Sequence, residues 1–342
     1  MEATKSGDFD IAGPRINCTP QIFNIMINKR TVFILGAGAS MPYGFSSGAE
    51  LREILCAPIT NIRSNRTVDW ISSVSKVGIN EDTSKRFADA FLRSGTASID
   101  SFLSRRLTEF GEIGKSAIAA ILCAQEEPTA LLRTDTQDDW YGYLWNALVA
   151  GVHMRNELAS NQVRFVTFNY DRSLEYFLMQ SCKETFALSD ETAKKALEPI
   201  KIIHVYGQLG ELDQVCTSRA RPYTTRIGAD ELSVAANGIK IIPESRDDAP
   251  EFAEVREMFE WAEQICFLGF GFDPLNVLRL NLESVCAPRR IAGKALSLVA
   301  STYLKTSAEK EAIQRSIPSS NSWWTMFDQK NLMTIRESGV LL

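Results

Sequence analysis

At 342 residues the chain is longer than a typical single domain, yet it is within reach of one α/β domain carrying an insertion. Hydrophobic residues make up 45% and charged residues 23%, the balance of a globular fold rather than of extended disorder. The formal charge of −5, from 37 basic and 42 acidic residues with no basic block, excludes the electrostatic footprint of a direct nucleic-acid or anionic-membrane binder.

The first residues are too polar for a signal peptide, and no apolar run approaches the roughly 18 residues of a membrane span, so the chain reads as cytoplasmic. Seven cysteines, the nearest two being Cys266 and Cys286, fit neither a disulfide framework nor a C-x-x-C zinc site. With only His153 and His204 as histidines, no metal centre is expected.

In chain order, residues 1–18 read as an arm and 20–30 as a short helix with Pro20 near its start and basic residues at its end. The run 31–35, TVFIL, has the continuous apolar and β-branched character of a strand buried on both faces. A glycine-rich loop follows, then a serine-led helix over 46–55. From about 57 to 160 no strand is expected: helical periodicity at 99–110, 116–125 and 140–158 marks a large helical insertion, with His153 read as a core residue in the last of these. Strands return at 163–168, 200–205, 239–242, 264–269 and 295–300, with helices at 173–180, 253–264 and 305–317 between or after them. The alternation predicts an α/β fold, a doubly wound, mostly parallel Rossmann-like sheet interrupted by the insertion.

In such a sheet ligands bind beyond the carboxyl ends of the strands, and four of these ends are unusual. After the first strand stands GAGAS, 36–40, whose glycines permit close backbone approach and whose following helix turns free N–H groups outward. Met41 occupies the last glycine position of G-x-G-x-x-G, and no strand ending in an acid follows about twenty residues on, which weakens a dehydrogenase reading. The second end, FNYD, delivers Asn169 and Asp171, which also fit the bland roles of turn residue and helix N-cap. The third places His204 at the rim, with Gly207 three residues on, and the fourth is FLGFGFDPLN, 267–276.

Together with GFSSGAEL at 44–51 and SIDSFL at 98–103, these ends make the stretch 30–300 resemble the sirtuin-like NAD-consuming family, especially its bacterial anti-phage effector branch. The resemblance implies that Asn169 and His204 are catalytic. It implies that Gly36, Ala37, Gly38, Ser40, Asp171, Gly269 and Gly271 line a nucleotide pocket. The chain lacks the four-cysteine zinc module of deacetylase sirtuins and has FGFDPLN where they carry a Gly-Thr-Ser type turn. What the resemblance then implies is hydrolysis of NAD to ADP-ribose and nicotinamide.

That chemistry suits a sparse site. Nicotinamide leaves as a neutral molecule, so positioning of water against an oxocarbenium-like carbon matters more than a strong acid. Asn169 is expected to hold a water or a ribose hydroxyl, His204 to accept a proton, and Asp171 to orient the carboxamide or the asparagine loop. The resemblance also implies a latent subunit of an abortive-infection system. Such a subunit self-associates and is switched by a separate partner, an ATPase of the DNA-translocase type, with the partly aromatic insertion as the expected surface.

Other readings compete. GFSSG, 44–48, matches the G-x-S-x-G elbow of serine hydrolases, although Ser46 lies well beyond the strand end. GKS, 114–116, lacks the first P-loop glycine, since Glu109 stands there. Asp100 reads as a helix-start residue and Trp140, Tyr141, Tyr143 and Trp145 as packing or an interface. A catalytically silent NAD or ADP-ribose-binding subunit is the alternative from a different class.

Overall fold

A computed structural model describes residues 26–60, 68–133, 137–213, 218–241, 250–320 and 323–342. The described residues contain eight strands: β1 Thr31–Leu35, β2 Val163–Thr167, β3 Ile202–His204, β4 Glu211–Leu212, β5 Ala220–Arg221, β6 Gln264–Leu268, β7 Ser297–Ser301 and β8 Trp324–Phe327. Six of them form one sheet in the order β3-β2-β1-β6-β7-β8, with every neighbouring pair parallel. Counted within the sheet this is the 3-2-1-4-5-6 order of the doubly wound Rossmann-like fold, and the order reverses between β1 and β6. β4 and β5 pair separately.

The central position of β1 and β6 follows from their composition. All five residues of each are buried, so neither strand has a polar face to turn to water. In register, Phe33 of β1 faces Phe165 of β2, and the two rings stack at 5.3 Å. β3 is partly exposed and closes one edge, and β8, equally partly exposed, closes the other.

Between β1 and β2 the described residues form only helices and loops. The helix Leu107–Cys123, buried around most of its circumference, is the axis of this layer. Phe87, Phe91, Phe102, Phe110 and Trp70 make an aromatic core beside it, with Phe87 touching the other four. Side-chain caps from Asp69, Asn80, Ser98 and Asp139 start four of its helices. Among the described residues no helix is long and apolar enough to cross a membrane.

Several expectations are corrected. The helix expected over 99–110 breaks at Arg106 (φ −127°, ψ 28°) into Ile99–Arg105 and Leu107–Cys123, a bend that lets Phe102 and Phe110 both reach Phe87. The one expected over 140–158 ends at Val149 because Gly151 takes φ +73°. His153 therefore stands on an exposed loop rather than in the core. The run at 239–241 is buried for packing and makes a single antiparallel bridge, Gly207 to Ile239, instead of a strand, while residue 242 lies outside the described residues. β8 was not expected at all. The arm 1–18 and residues 20–25 of the first expected helix lie outside the described residues, and 26–30 form no helix.

Candidate active site

The loops leaving β1 and β6 interlock at the point where the strand order reverses. Gly36 N donates to Leu268 O at 3.1 Å and Gly38 N to Gly269 O at 3.0 Å. A methyl group on Gly36 would lie 2.6 Å from Gly269 O, one on Gly38 2.7 Å from Gly269 Cα, and one on Gly269 2.0 Å from Ala39 N. Gly269 also sits at φ +56°. These glycines are required by backbone approaching backbone. Gly271 is exposed with open space around its α-carbon, and Ala37 is exposed at the start of the turn 37–40.

Asn169 ties three strand ends together. Its backbone N donates to Thr167 Oγ1 at 3.0 Å, and its side-chain Nδ2 donates to both Gly36 O and Ser40 Oγ at 3.0 Å. Because Gly36 O can only accept, the amide must turn its NH2 end inward. That leaves Asn169 Oδ1 with no partner among the described residues.

The Ser40 hydroxyl, 2% exposed, donates in turn to Asp171 Oδ2 at 2.8 Å. The other oxygen of Asp171 accepts from Ser173 N at 3.1 Å and from the Ser173 hydroxyl, which in turn bonds Tyr141 OH at 2.7 Å. Burial pushes the Asp171 carboxyl above its ordinary range against the opposing pull of the Ser173 and Ser40 hydrogen bonds. Asp171 thus holds the first residue of the helix Ser173–Phe186, whose N-cap position is Arg172, and the Asn169 partner Ser40.

His204 ends β3 with both ring nitrogens engaged. Nδ1 lies 2.8 Å from Asn169 O, and Nε2 forms an ion pair with Glu175 in the first turn of the helix after β2. Burial alone pushes this imidazole down. The Glu175 carboxylate, the Asn169 carbonyl and Asp171 outweigh it and leave the ring above its ordinary 6.5. Glu175 is the residue that sequence reasoning missed. Its only signal was an acid in the first turn of a helix leaving FNYD.

Two cavities flank this network. One of about 570 Å³ opens beside β3 and is lined by Glu175, His204, Gly207, Gln208, Lys240 and neighbours. The other, about 500 Å³, lies beyond β6, β7 and β8 and is lined by Gly38, Gly269, Gly271, Ser301, Lys330 and neighbours. They share no lining residue. Phe168 after β2 touches Phe270 after β6 at 5.0 Å and Tyr206 after β3 at 5.5 Å, so aromatic rings span the end of β1. The structure thus gathers Asn169, His204, Ser40, Asp171 and Gly36 into one bonded network and sets Gly38, Gly269 and Gly271 on the second cavity.

The insertion supports the network from one side. Trp140 Nε1 donates to Ala39 O at 2.8 Å, and Tyr141 stacks on Tyr43 at 3.9 Å. Trp140, Tyr141 and Trp145 are buried and Tyr143 partly so, which is the packing role among the two expected of them. Asp100, in the first turn of its helix, accepts from Tyr170 OH of FNYD at 2.6 Å. Ser46 Oγ is held by Gln125 Nε2 at 2.7 Å, and with both His204 nitrogens occupied the serine has no histidine partner.

Among the described residues no group of three or more His, Cys, Asp or Glu side chains could hold a metal ion. No protein-family model matches the chain, and no curated protein matches it.

Proposed function

We propose that the protein is an NAD glycohydrolase, converting NAD and water to ADP-ribose, nicotinamide and a proton. One observation carries the reading: the imidazole ending β3 is bonded directly to the loop after β2, His204 Nδ1 to Asn169 O at 2.8 Å, beside the glycine-lined reversal of strand order. Doubly wound sheets bind dinucleotides at that reversal. The cavity with Gly269, Gly271 and Lys330 suits the adenosine and phosphate end, and the nicotinamide riboside end reaches toward Asn169. Asn169 Oδ1 accepts a hydrogen bond from the attacking water or from a ribose hydroxyl, and the reaction gains chiefly by orientation.

Under the same reading the activity is latent, exerted in an abortive-infection response by an assembly of further copies with a separate DNA-translocase type ATPase.

The test is incubation of the purified chain with NAD, alone and together with partner proteins recovered from its host, followed by chromatography of the products. Equal release of nicotinamide and ADP-ribose, lost on Asn169→Ala, is the expected result. Intact NAD in the presence of both further copies and the host's partner proteins overturns it. A second reading, binding of NAD or ADP-ribose without turnover, is favoured by the engagement of both His204 nitrogens. It predicts calorimetric binding of NAD with no product.

A further inference from the structure

The hydrogen bonds around His204 conflict with its expected role as the proton acceptor. Asn169 O can only accept, so Nδ1 must carry a proton. Nε2 meets a carboxylate oxygen of Glu175, so one proton is shared between those two atoms. In that arrangement the ring offers no lone pair to a water molecule without first losing Glu175.

We infer that Glu175 is a positioning residue: it holds His204 as an imidazolium whose Nδ1–H fixes the Asn169 carbonyl, and with it the asparagine side chain that spans Gly36 and Ser40. The inference rests on the NAD hydrolase reading for its kinetic part only. A charge-assisted hydrogen bond is stronger than a neutral one, so the ion pair stiffens the loop that carries Asn169. No protein base is needed in the hydrolytic step. Water adds to the oxocarbenium-like carbon as the nicotinamide bond breaks, and the resulting oxonium is acidic enough to release its proton to solvent.

The surroundings leave Glu175 as the group that sets the charge on His204. From the loop after β2, Asp171 adds a smaller pull in the same direction. From the β4–β5 segment, Glu211 and Arg219 pair with each other at 2.7 Å. Lys240 pairs with Glu251 of the helix Pro250–Trp261. Across the adjoining cavity that Glu175 also lines stand Lys194, Glu198 and Arg172, the last engaged by Glu126.

The experiment uses the full chain labelled with 15N at histidine, with His153→Asn leaving His204 as the only signal. Both ring nitrogens are expected to stay protonated at neutral pH, with a titration midpoint above the ordinary 6.5. Glu175→Gln is expected to lower that midpoint by about one unit or more, the loss of a tenfold preference for the charged ring. A neutral imidazole in the wild type, or an unchanged midpoint in the variant, overturns the pairing; the wild-type titration decides even if the variant does not fold.

The kinetic arm is separate. The kcat for NAD should fall as pH rises through the measured midpoint, and in Glu175→Gln it should fall at lower pH and by about 100-fold at neutral pH, with KM little changed. A kcat that rises through the midpoint makes His204 a base and overturns the inference. A wild type with no NAD turnover even with the host's partner proteins overturns the proposed function instead, and the titration then stands or falls on its own.

Discussion

The amide of Asn169 is the residue on which the site turns, because its two donors and its free acceptor serve different ends. Nδ2 secures Gly36 and Ser40, and Oδ1 has no partner among the described residues. Asn169→Ala removes all of these and leaves Gly36 O with only the hydrogen bond from Ala39 N. Asn169→Asp does worse, setting a carboxylate oxygen against Gly36 O and a second negative charge beside Ser40, already bonded to Asp171. Both variants should abolish NAD turnover, and the aspartate should cost more stability, about 1–3 kcal/mol, as judged by urea midpoints.

His204 gives a pH signature at the same scale. Its folded pKa lies above 6.5, so its contribution to stability is complete below that value and is lost as pH rises through the folded pKa. Melting temperature should therefore decline over that window in the wild type, and the decline should vanish in Glu175→Gln. Parallel curves for the two proteins would show that the pair does not form.

Among the elements, the two glycine-rich exits test how much of the β1–β6 contact is steric. Gly269→Ala puts a methyl group 2.0 Å from Ala39 N at a φ of +56°, and neither backbone can yield, since β1 and β6 are paired along their whole length. A loss of roughly 3 kcal/mol or more is expected, read as a large drop in melting temperature. Gly271→Ala meets open space and should leave the melting temperature unchanged. If the second cavity takes the adenosine end, this variant instead raises KM for NAD.

The contrast shows what was legible in the sequence. The apolar runs of β1, β2, β6 and β7 and the glycines behind β1 and β6 were readable, because strands buried on both faces have little alternative composition. β8 was not, since its WTMF run is partly exposed and short, and the buried run after Gly238 imitated a strand while serving only to pack beside the exit of β3. In the site, Asn169 and His204 were visible at strand ends. Glu175 was hidden because an acid in a first helical turn is ordinary, and Tyr141 because it arrives from the insertion.

For the whole molecule, the insertion and the sheet are fastened by a buried charge cluster. Glu126 follows the long helix Leu107–Cys123, Arg172 stands in the loop after β2, and Arg221 ends β5. The carboxylate is fully buried, with Arg172 Nη2 and an Arg221 nitrogen each 2.8 Å from one of its oxygens. Arg172 also donates to Glu211 O, Arg221 O and Pro222 O at 2.9–3.0 Å. Glu126 is the only acidic side chain within the cluster; burial pushes its carboxyl up, and the two guanidiniums beside it oppose that rise.

Glu126→Gln keeps the shape and removes that acid, leaving two buried cations face to face. Breaking such a cluster from one side costs about 3–5 kcal/mol, far more than the intact cluster contributes relative to an apolar replacement. Because Arg172 directly follows Asp171, the damage should reach the site: NAD turnover should fall along with the denaturation midpoint. By comparison Lys195→Gln, which breaks an exposed pair with Glu191, should change neither. Equal behaviour of the two variants would mean that the charge cluster does not fasten the insertion to the sheet, the connection resting instead on the buried aromatic residues around Trp140 and Tyr141 and on the hydrogen bonds that these and Asp100 make.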